Sequence, residues 1–278
     1  MQKTWLVTGS ASGLGAAITR AALASGHRVI ATDRDQDRLH GAFPTADEAL
    51  VLTRLDITEP PQVASVVADA IAAFGRIDVL VNNAGYGQFG PFETNGPEDV
   101  GHQFAVNVFG TFHVTRAVLP QMRLQRAGHI FNMSSNGGLA GVPGASLYSA
   151  TKFAIEGASE ALSEEVAHFG IKVTLLAPGA FRTDFLAGNA IRYGNLAIDD
   201  YADYALRLRE ANDQRDQKQL GDPVKLGRAV VKLAEATQPP LHFIAGSDAL
   251  TKVTRKIESL KTEILRWREL SLSTDSVD

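Results

Sequence analysis

Thr8-Gly9-Ser10-Ala11-Ser12-Gly13-Leu14-Gly15 follows directly on the apolar run Lys3-Thr4-Trp5-Leu6-Val7-Thr8 and opens a stretch of helical character. A strand that ends in a glycine turn and continues as a helix is the opening unit of a parallel α/β sheet, and it can hold a dinucleotide. Gly9 permits the tight turn, Gly13 lets the backbone approach a pyrophosphate, and Gly15 lets the helix pack closely on the sheet. Ser12 and Leu14 complete the turn, which puts the positive end of the helix against the anion. Glycines also cluster in plain turns, so the turn alone is a weak signal.

The rest of the chain repeats the rhythm that this unit begins. Apolar β-type runs at 4–8, 28–32, 50–55, 77–81, 129–133, 172–176 and 241–245 alternate with helical intervals, the longest at 98–125, 148–169 and 222–236. Seven strands separated by helices predict a parallel sheet covered on both faces, a single doubly wound Rossmann-type α/β domain spanning 1–278. Two regions depart from the pattern. Residues 181–221 carry no strand signal but alternate aromatic and aliphatic residues with charge, as in a mobile helical lid or an ordinary surface insertion. Leu250, Val253, Ile257, Leu260, Ile264 and Trp267 recur at spacings of 3 and 4, predicting a C-terminal helix over about 247–270. That helix is expected to pack on its own domain or on a second subunit, with a frayed tail after it.

Composition narrows the function. With 278 residues, 45% hydrophobic and 21% charged, the chain is long enough for one large core, and its net charge of −4 offers no basic footprint for nucleic acid or an anionic membrane. No apolar run approaches a membrane span and no leader precedes the first strand, so a cytoplasmic protein is expected. The absence of cysteine excludes disulfides and thiolate sites, and the seven histidines show no ligand spacing, so no metal is expected.

Further residues join the glycine turn. Asp33, at the end of the second strand and eighteen residues beyond Gly15, has the spacing of a carboxylate that binds adenosine ribose hydroxyls and repels a 2′-phosphate, which favours NAD over NADP. Arg34 beside it could instead pair with that phosphate. Asp56 and Ile57 follow the third strand, where they could border the adenine, although Asp56 also suits a turn or cap. Asn82-Asn83-Ala84-Gly85 closes the fourth strand; its amides can tie strand ends together and Gly85 leaves room for a cofactor.

Chemistry is carried by Tyr148-Ser149-Ala150-Thr151-Lys152, with Ser135 thirteen positions upstream. On a helix Tyr148 and Lys152 share a face one turn apart. Lowering a phenol by about three units takes roughly 4 kcal/mol, which one charge at about 4 Å supplies in an effective dielectric near 20, so one lysine suffices in principle.

Together, Thr8-Gly9-x-x-x-Gly13-x-Gly15, Asn82-Asn83-Ala84-Gly85, Ser135, Tyr148-x-x-x-Lys152 and Pro178-Gly179 with Thr183 resemble the short-chain dehydrogenase/reductase family, in order and spacing. Asn83 to Pro91 and Gly246-Ser247-Asp248-Ala249 look like its hydroxysteroid-dehydrogenase-like bacterial branch. The resemblance implies an NAD(P)(H)-dependent oxidoreductase interconverting a secondary alcohol and a ketone. In it, Tyr148 is the acid/base, Ser135 bonds the substrate oxygen, and Lys152 lowers the phenol and holds the nicotinamide ribose. Asn107 would hold a water linking Lys152 to solvent, and Pro178, Gly179, Phe181 and Thr183 would lie against the nicotinamide amide. Gln88, Phe89, Leu139, Val142, Phe185 and Tyr193 would wall a mostly apolar pocket suited to a bulky, weakly polar small-molecule alcohol or ketone. The family also implies a homodimer or homotetramer packed through the helices beginning near Glu98 and Tyr148. Similar members often carry a neutral residue before the arginine where this chain has Asp33-Arg34, so cofactor preference does not carry over. An epimerase or dehydratase using the same Tyr and Lys, and a non-catalytic nucleotide sensor or scaffold, are the competing readings.

Overall fold

Nine strands and ten α-helices appear among the described residues of the computed structural model, which are 1–45, 48–187 and 190–276. In chain order, β1 (Thr4–Thr8), α1 (Gly13–Ala24), β2 (Arg28–Asp33), α2 (Gln36–Ala42), β3 (Leu50–Arg54), α3 (Pro60–Phe74) and β4 (Val79–Asn82) form the first half. The second half contains β5 (Gly87–Phe89), α4 (Pro97–Phe104), α5 (Thr111–Gln125), β6 (Gly128–Met133), α6 (Ser146–Ala167), β7 (Ile171–Pro178) and β8 (Ile191–Tyr193). It ends with α7 (Ala202–Arg215), α8 (Pro223–Glu235), β9 (His242–Ala245), α9 (Ser247–Arg266) and α10 (Arg268–Leu272). Seven strands make one parallel sheet in the order β3-β2-β1-β4-β6-β7-β9, the Rossmann arrangement that the alternating runs predict.

Strand periodicity explains why both faces are covered. Leu6, Ile30, Leu80 and Ile130 pack with Val63, Val66 and Val67 of α3 and Val114, Val118 and Met122 of α5. Their strand neighbours Val7, Val29, Val81 and Phe131 point the other way, onto Ile18 and Ala22 of α1 and Leu226 and Val230 of α8. Each strand thus feeds two cores, and burying a side chain such as Leu80 stabilises the fold by about 1.5–3 kcal/mol. All carboxyl strand ends lie along one edge, and the order reverses between β1 and β4, where such sheets bind ligands.

Three local readings gain detail, and one of them is corrected. The interval 98–125 is helical throughout, as expected, but is not one α-helix: α4 and α5 are joined by a π-helical segment, Ala105–Gly110. Residues 181–221 contain a strand after all, since β8 pairs in parallel with β5, Gly87 opposite Ile191 and Phe89 opposite Tyr193. Residues 188–189 of that segment lie outside the described residues. Of the two packings expected for the C-terminal helix, its own domain accounts for the first turns: Ala249 and Val253 are buried, whereas Ile257 is 58% and Trp267 56% exposed. The last two residues of the expected tail also lie outside the described residues.

Candidate active site

A cleft of about 550 Å³ opens at the carboxyl edge of the sheet. One wall is the glycine turn: Gly9 and Gly13 both have positive φ, at 67° and 56°. A Cβ on Gly9 would come within 2.9 Å of the Ala84 Cα, so only glycine fits there. Helix α1 starts at Gly13 with no side-chain cap on its free N–H groups and no acidic residue in its first turn, leaving its positive end open to an anion. This wall therefore fits a pyrophosphate. Gly15 lies behind it, in contact with the Gly9 carbonyl and the Asn83 amide, and packs the helix without facing the cleft.

The amides after β4 brace the strand ends. Asn83 Nδ2 donates to the carbonyls of Thr8 and Gly9 at 2.9 and 3.0 Å, and Thr8 Oγ1 accepts from the Asn83 and Ala84 N–H groups. Behind them Asn82 Nδ2 donates to Asn132 Oδ1 and Thr115 Oγ1, both at 2.8 Å, tying β4 to β6 and α5. Ala84 and Gly85 line the cleft beside Ser12 and Leu14.

At the outer end, the Asp33 carboxylate accepts from the Ala11 and Asp35 N–H groups at 3.2 and 3.1 Å, with Arg34, Asp56 and Ile57 alongside. Thr58 bonds hold the Asp56 carboxyl below its ordinary range against the opposing cost of burial, and Arg34 and Arg54 lower it further.

The end of the cleft that holds Tyr148 is built on α6 and the turn after β6. Tyr148 lies between Phe89, stacked at 5.9 Å, and Phe185, tilted at the same distance. Ser135 caps the following 3-10 turn by accepting from the Gly137 N–H at 3.1 Å, and its hydroxyl lies near enough to the phenol to favour the phenolate. Lys152 is buried, donates to the Met133 carbonyl at 2.6 Å, and sits 5.6 Å from the Tyr148 ring centre. Burial lowers its ammonium to about 8.

These distances revise the expectation for the phenol. Burial pushes Tyr148 up to about 12, the Ser135 bond pulling the other way, and at 5.6 Å one ammonium is worth about 3 kcal/mol rather than 4.

Pro178, Gly179, Phe181 and Thr183 line the far wall below β7. Asp248 accepts from the Ala180 N–H at 2.8 Å and fixes this loop to the start of α9. Phe89, Val142 and Phe185 face the cleft, while three other expected pocket residues do not. Gln88 alternates with Phe89 on β5 and turns away to donate to Asn95 Oδ1. Leu139 ends the 3-10 turn outside the cleft, and Tyr193 packs behind Phe89, its hydroxyl accepting from Asn212. Asn107 is also behind the wall, in the π segment: its Oδ1 accepts from the Tyr86 N–H, and its Nδ2 donates to the Tyr86 carbonyl and to Thr151 Oγ1. Motif reading missed Arg38, Tyr86, His102 and Arg192, which also line the cleft. Only Arg38, one turn beyond Arg34 in the sequence, carried a signal there.

Comparison with known proteins agrees with this geometry. The profile of the family described as short chain dehydrogenase matches residues 3–192. A 3-ketodihydrosphingosine reductase of Bacteroides thetaiotaomicron is 39% identical over 87% of this chain and 87% of its own length. The crystal structure of a short-chain dehydrogenase from Streptomyces avermitilis, 40% identical, superposes with a TM-score of 0.89 over 99% of this chain and all of that one. A 3-ketoacyl-(acyl-carrier-protein) reductase from Brucella melitensis complexed with NADH is 26% identical, with a TM-score of 0.73 over 87% of this chain and 95% of that one. A serine dehydrogenase complexed with NADP+ is 27% identical, with a TM-score of 0.74 over 87% of this chain and 93% of that one. A glycine-walled cleft at the sheet's switch point, matched by profile and by superposition, leads to one statement: the chain belongs to the short-chain dehydrogenase family, oxidoreductases built on an NAD(P)-binding Rossmann fold.

Proposed function

We propose that the protein interconverts a secondary alcohol and a ketone, with Tyr148 as the acid/base. The observation that carries this reading is the convergence of Ser135, Tyr148 and Lys152 on one end of a cleft whose other end is the open glycine wall. The nicotinamide supplies or accepts hydride when bound. The Ser135 hydroxyl and the Tyr148 phenol hold the substrate oxygen, and the phenol gives its proton to that oxygen in reduction and takes it back in oxidation. Lys152 holds positive charge beside the phenol and would bind the nicotinamide ribose, while Asn107, its amide bonded to Tyr86 and Thr151, would brace the wall behind them.

NAD is the preferred cofactor in this reading. The Asp33 carboxylate is held in place by two backbone N–H groups at the end of β2, whereas the Arg34 side chain is exposed. Phe89, Val142, Ala145, Phe185 and Leu186 give the substrate end an apolar lining, which suits a bulky, weakly polar guest. The Bacteroides relative's name, a keto-compound reductase, supports a ketone. A homo-oligomer belongs to the same reading, since Phe109, Phe112 and Phe153 expose apolar surface on the π segment, α5 and α6. Among the described residues, no helix is long and apolar enough to cross a membrane.

The test is Tyr148→Phe, assayed by nicotinamide absorbance over a panel of alcohols and ketones. The turnover rate should fall by about 10²–10⁴ while cofactor binding persists. A variant as fast as the wild type overturns the acid/base assignment.

A further inference from the structure

Helix α6 continues past its reactive end with acids at the same four-residue spacing: Tyr148, Lys152, Glu156 and Glu160 follow one another along one face. Glu156 is 4% exposed, and its Oε1 has no hydrogen-bond partner among the described residues. Its Oε2 lies 3.2 Å from Nδ1 of His242, the first residue of β9, and Nε2 of the same imidazole lies 3.5 Å from Glu160 Oε1. The His242 and Glu160 side chains are 33% and 54% exposed, so His242 links the buried Glu156 carboxylate to solvent.

A buried carboxylate with a free oxygen one helical turn from a buried ammonium is costly unless the two charges compensate each other. Glu156 is the charge that raises the Lys152 ammonium against the stronger lowering by burial. Burial raises the Glu156 carboxyl in turn, while the nearby Ser134 hydroxyl and His242 pull it down and Glu160 pushes it up.

We propose that Glu156 and His242 are a positioning pair behind the active site: Glu156 is the internal counter-ion that keeps Lys152 protonated, and His242 keeps Glu156 ionised and couples it to solvent. This rests on the proposed roles of Tyr148 and Lys152. Glu160 also faces His242 from α6, and its negative charge opposes ionisation of Glu156.

The sign of the effect follows from charge alone. Ketone reduction needs the Tyr148–Lys152 pair fully protonated, and a neutral group in place of Glu156 makes the pair release its first proton at lower pH. In Glu156→Gln the alkaline limb of the reduction rate should therefore move down by about one pH unit. One unit above the wild-type midpoint, the rate relative to its plateau should fall about ninefold. His242→Gln should move the limb the same way by less, Glu156→Asp should restore part of it, and His242→Gln should add nothing in the Glu156→Gln background.

A second readout does not need turnover. Competitive acetylation of Lys152 by acetic anhydride across pH, read by mass spectrometry on cofactor-free protein, should show its midpoint falling in both single variants. An unmoved midpoint and limb in Glu156→Gln overturn the inference even where Tyr148→Phe is inactive. If Tyr148→Phe instead keeps full activity, the proposed function fails, and the acetylation midpoint still reports on Glu156. The ligand atoms of Glu156, Glu160 and His242 lie within 4.8 Å of one another, so the same titration is run with zinc chloride and with a chelator. A wild-type midpoint that follows zinc would make the three groups cation ligands and overturn the counter-ion role.

Discussion

Replacing Lys152 by methionine removes the ammonium and keeps most of the stem's volume. At 5.6 Å from the Tyr148 ring centre, and in an effective dielectric near 20, that charge is worth about 3 kcal/mol, or roughly two pH units on the phenol. The ammonium favours phenolate, so its loss raises the phenol, and alcohol oxidation, which needs phenolate, should begin at higher pH. With saturating cofactor and alcohol, initial rates from pH 6 to 10.5 should show the rising limb displaced upward by about two units. The rate near pH 7 should be lower by about 100-fold, with partial recovery at the alkaline end. A limb at the wild-type midpoint with a uniformly reduced rate would refute the electrostatic role and leave Lys152 only as a ribose contact.

Other consequences can be checked independently. Asp33→Ala should gain NADP affinity and lose NAD affinity in side-by-side calorimetry, and unchanged selectivity would remove Asp33 as the discriminator. Gly9→Ala puts a Cβ 2.9 Å from Ala84 Cα at a φ of 67°, so chemical denaturation should show a loss of about 1–3 kcal/mol together with weaker cofactor binding. Burial in the core, next to Phe131, lowers the His129 imidazole to about 3. The unfolded chain therefore binds a proton that the folded one refuses, and stability should fall by about 1.4 kcal/mol per pH unit as pH drops from about 6.5 towards 3. His129→Leu should flatten that slope in denaturant midpoints measured from pH 7 to 4.5, whereas an unchanged slope would place the acid sensitivity elsewhere.

The parts of the fold legible in the sequence are those whose cause is local. Runs such as Trp5-Leu6-Val7 and Val79-Leu80-Val81 are buried on both faces, and the glycine turn must sit where only glycine fits, so both announce themselves. Strands β5 and β8 are three residues each and are paired across about a hundred positions, which no window of sequence can register. Which side of β5 faces the cleft was equally hidden: Gln88 and Phe89 are neighbours, and only the sheet's pleat sends the phenyl inward. The Tyr148–Lys152 spacing was visible, but not that the lysine amine would be drawn to the Met133 carbonyl and the phenol desolvated between two phenyl rings. Tyr86, His102 and Arg192 reach the cleft from the loop before β5, from α4 and from β8, and nothing in their immediate neighbours marks them.

The short parallel pairing of β5 with β8 reaches beyond the segment it anchors. Gly87 and Phe89 follow within four residues of Gly85, so the backbone that lines the cleft beside the glycine turn runs directly into the strand that pairs with residues 191–193. A substitution that breaks the β5–β8 pairing therefore disturbs the Gly85 wall and the Phe89 side of the cleft together.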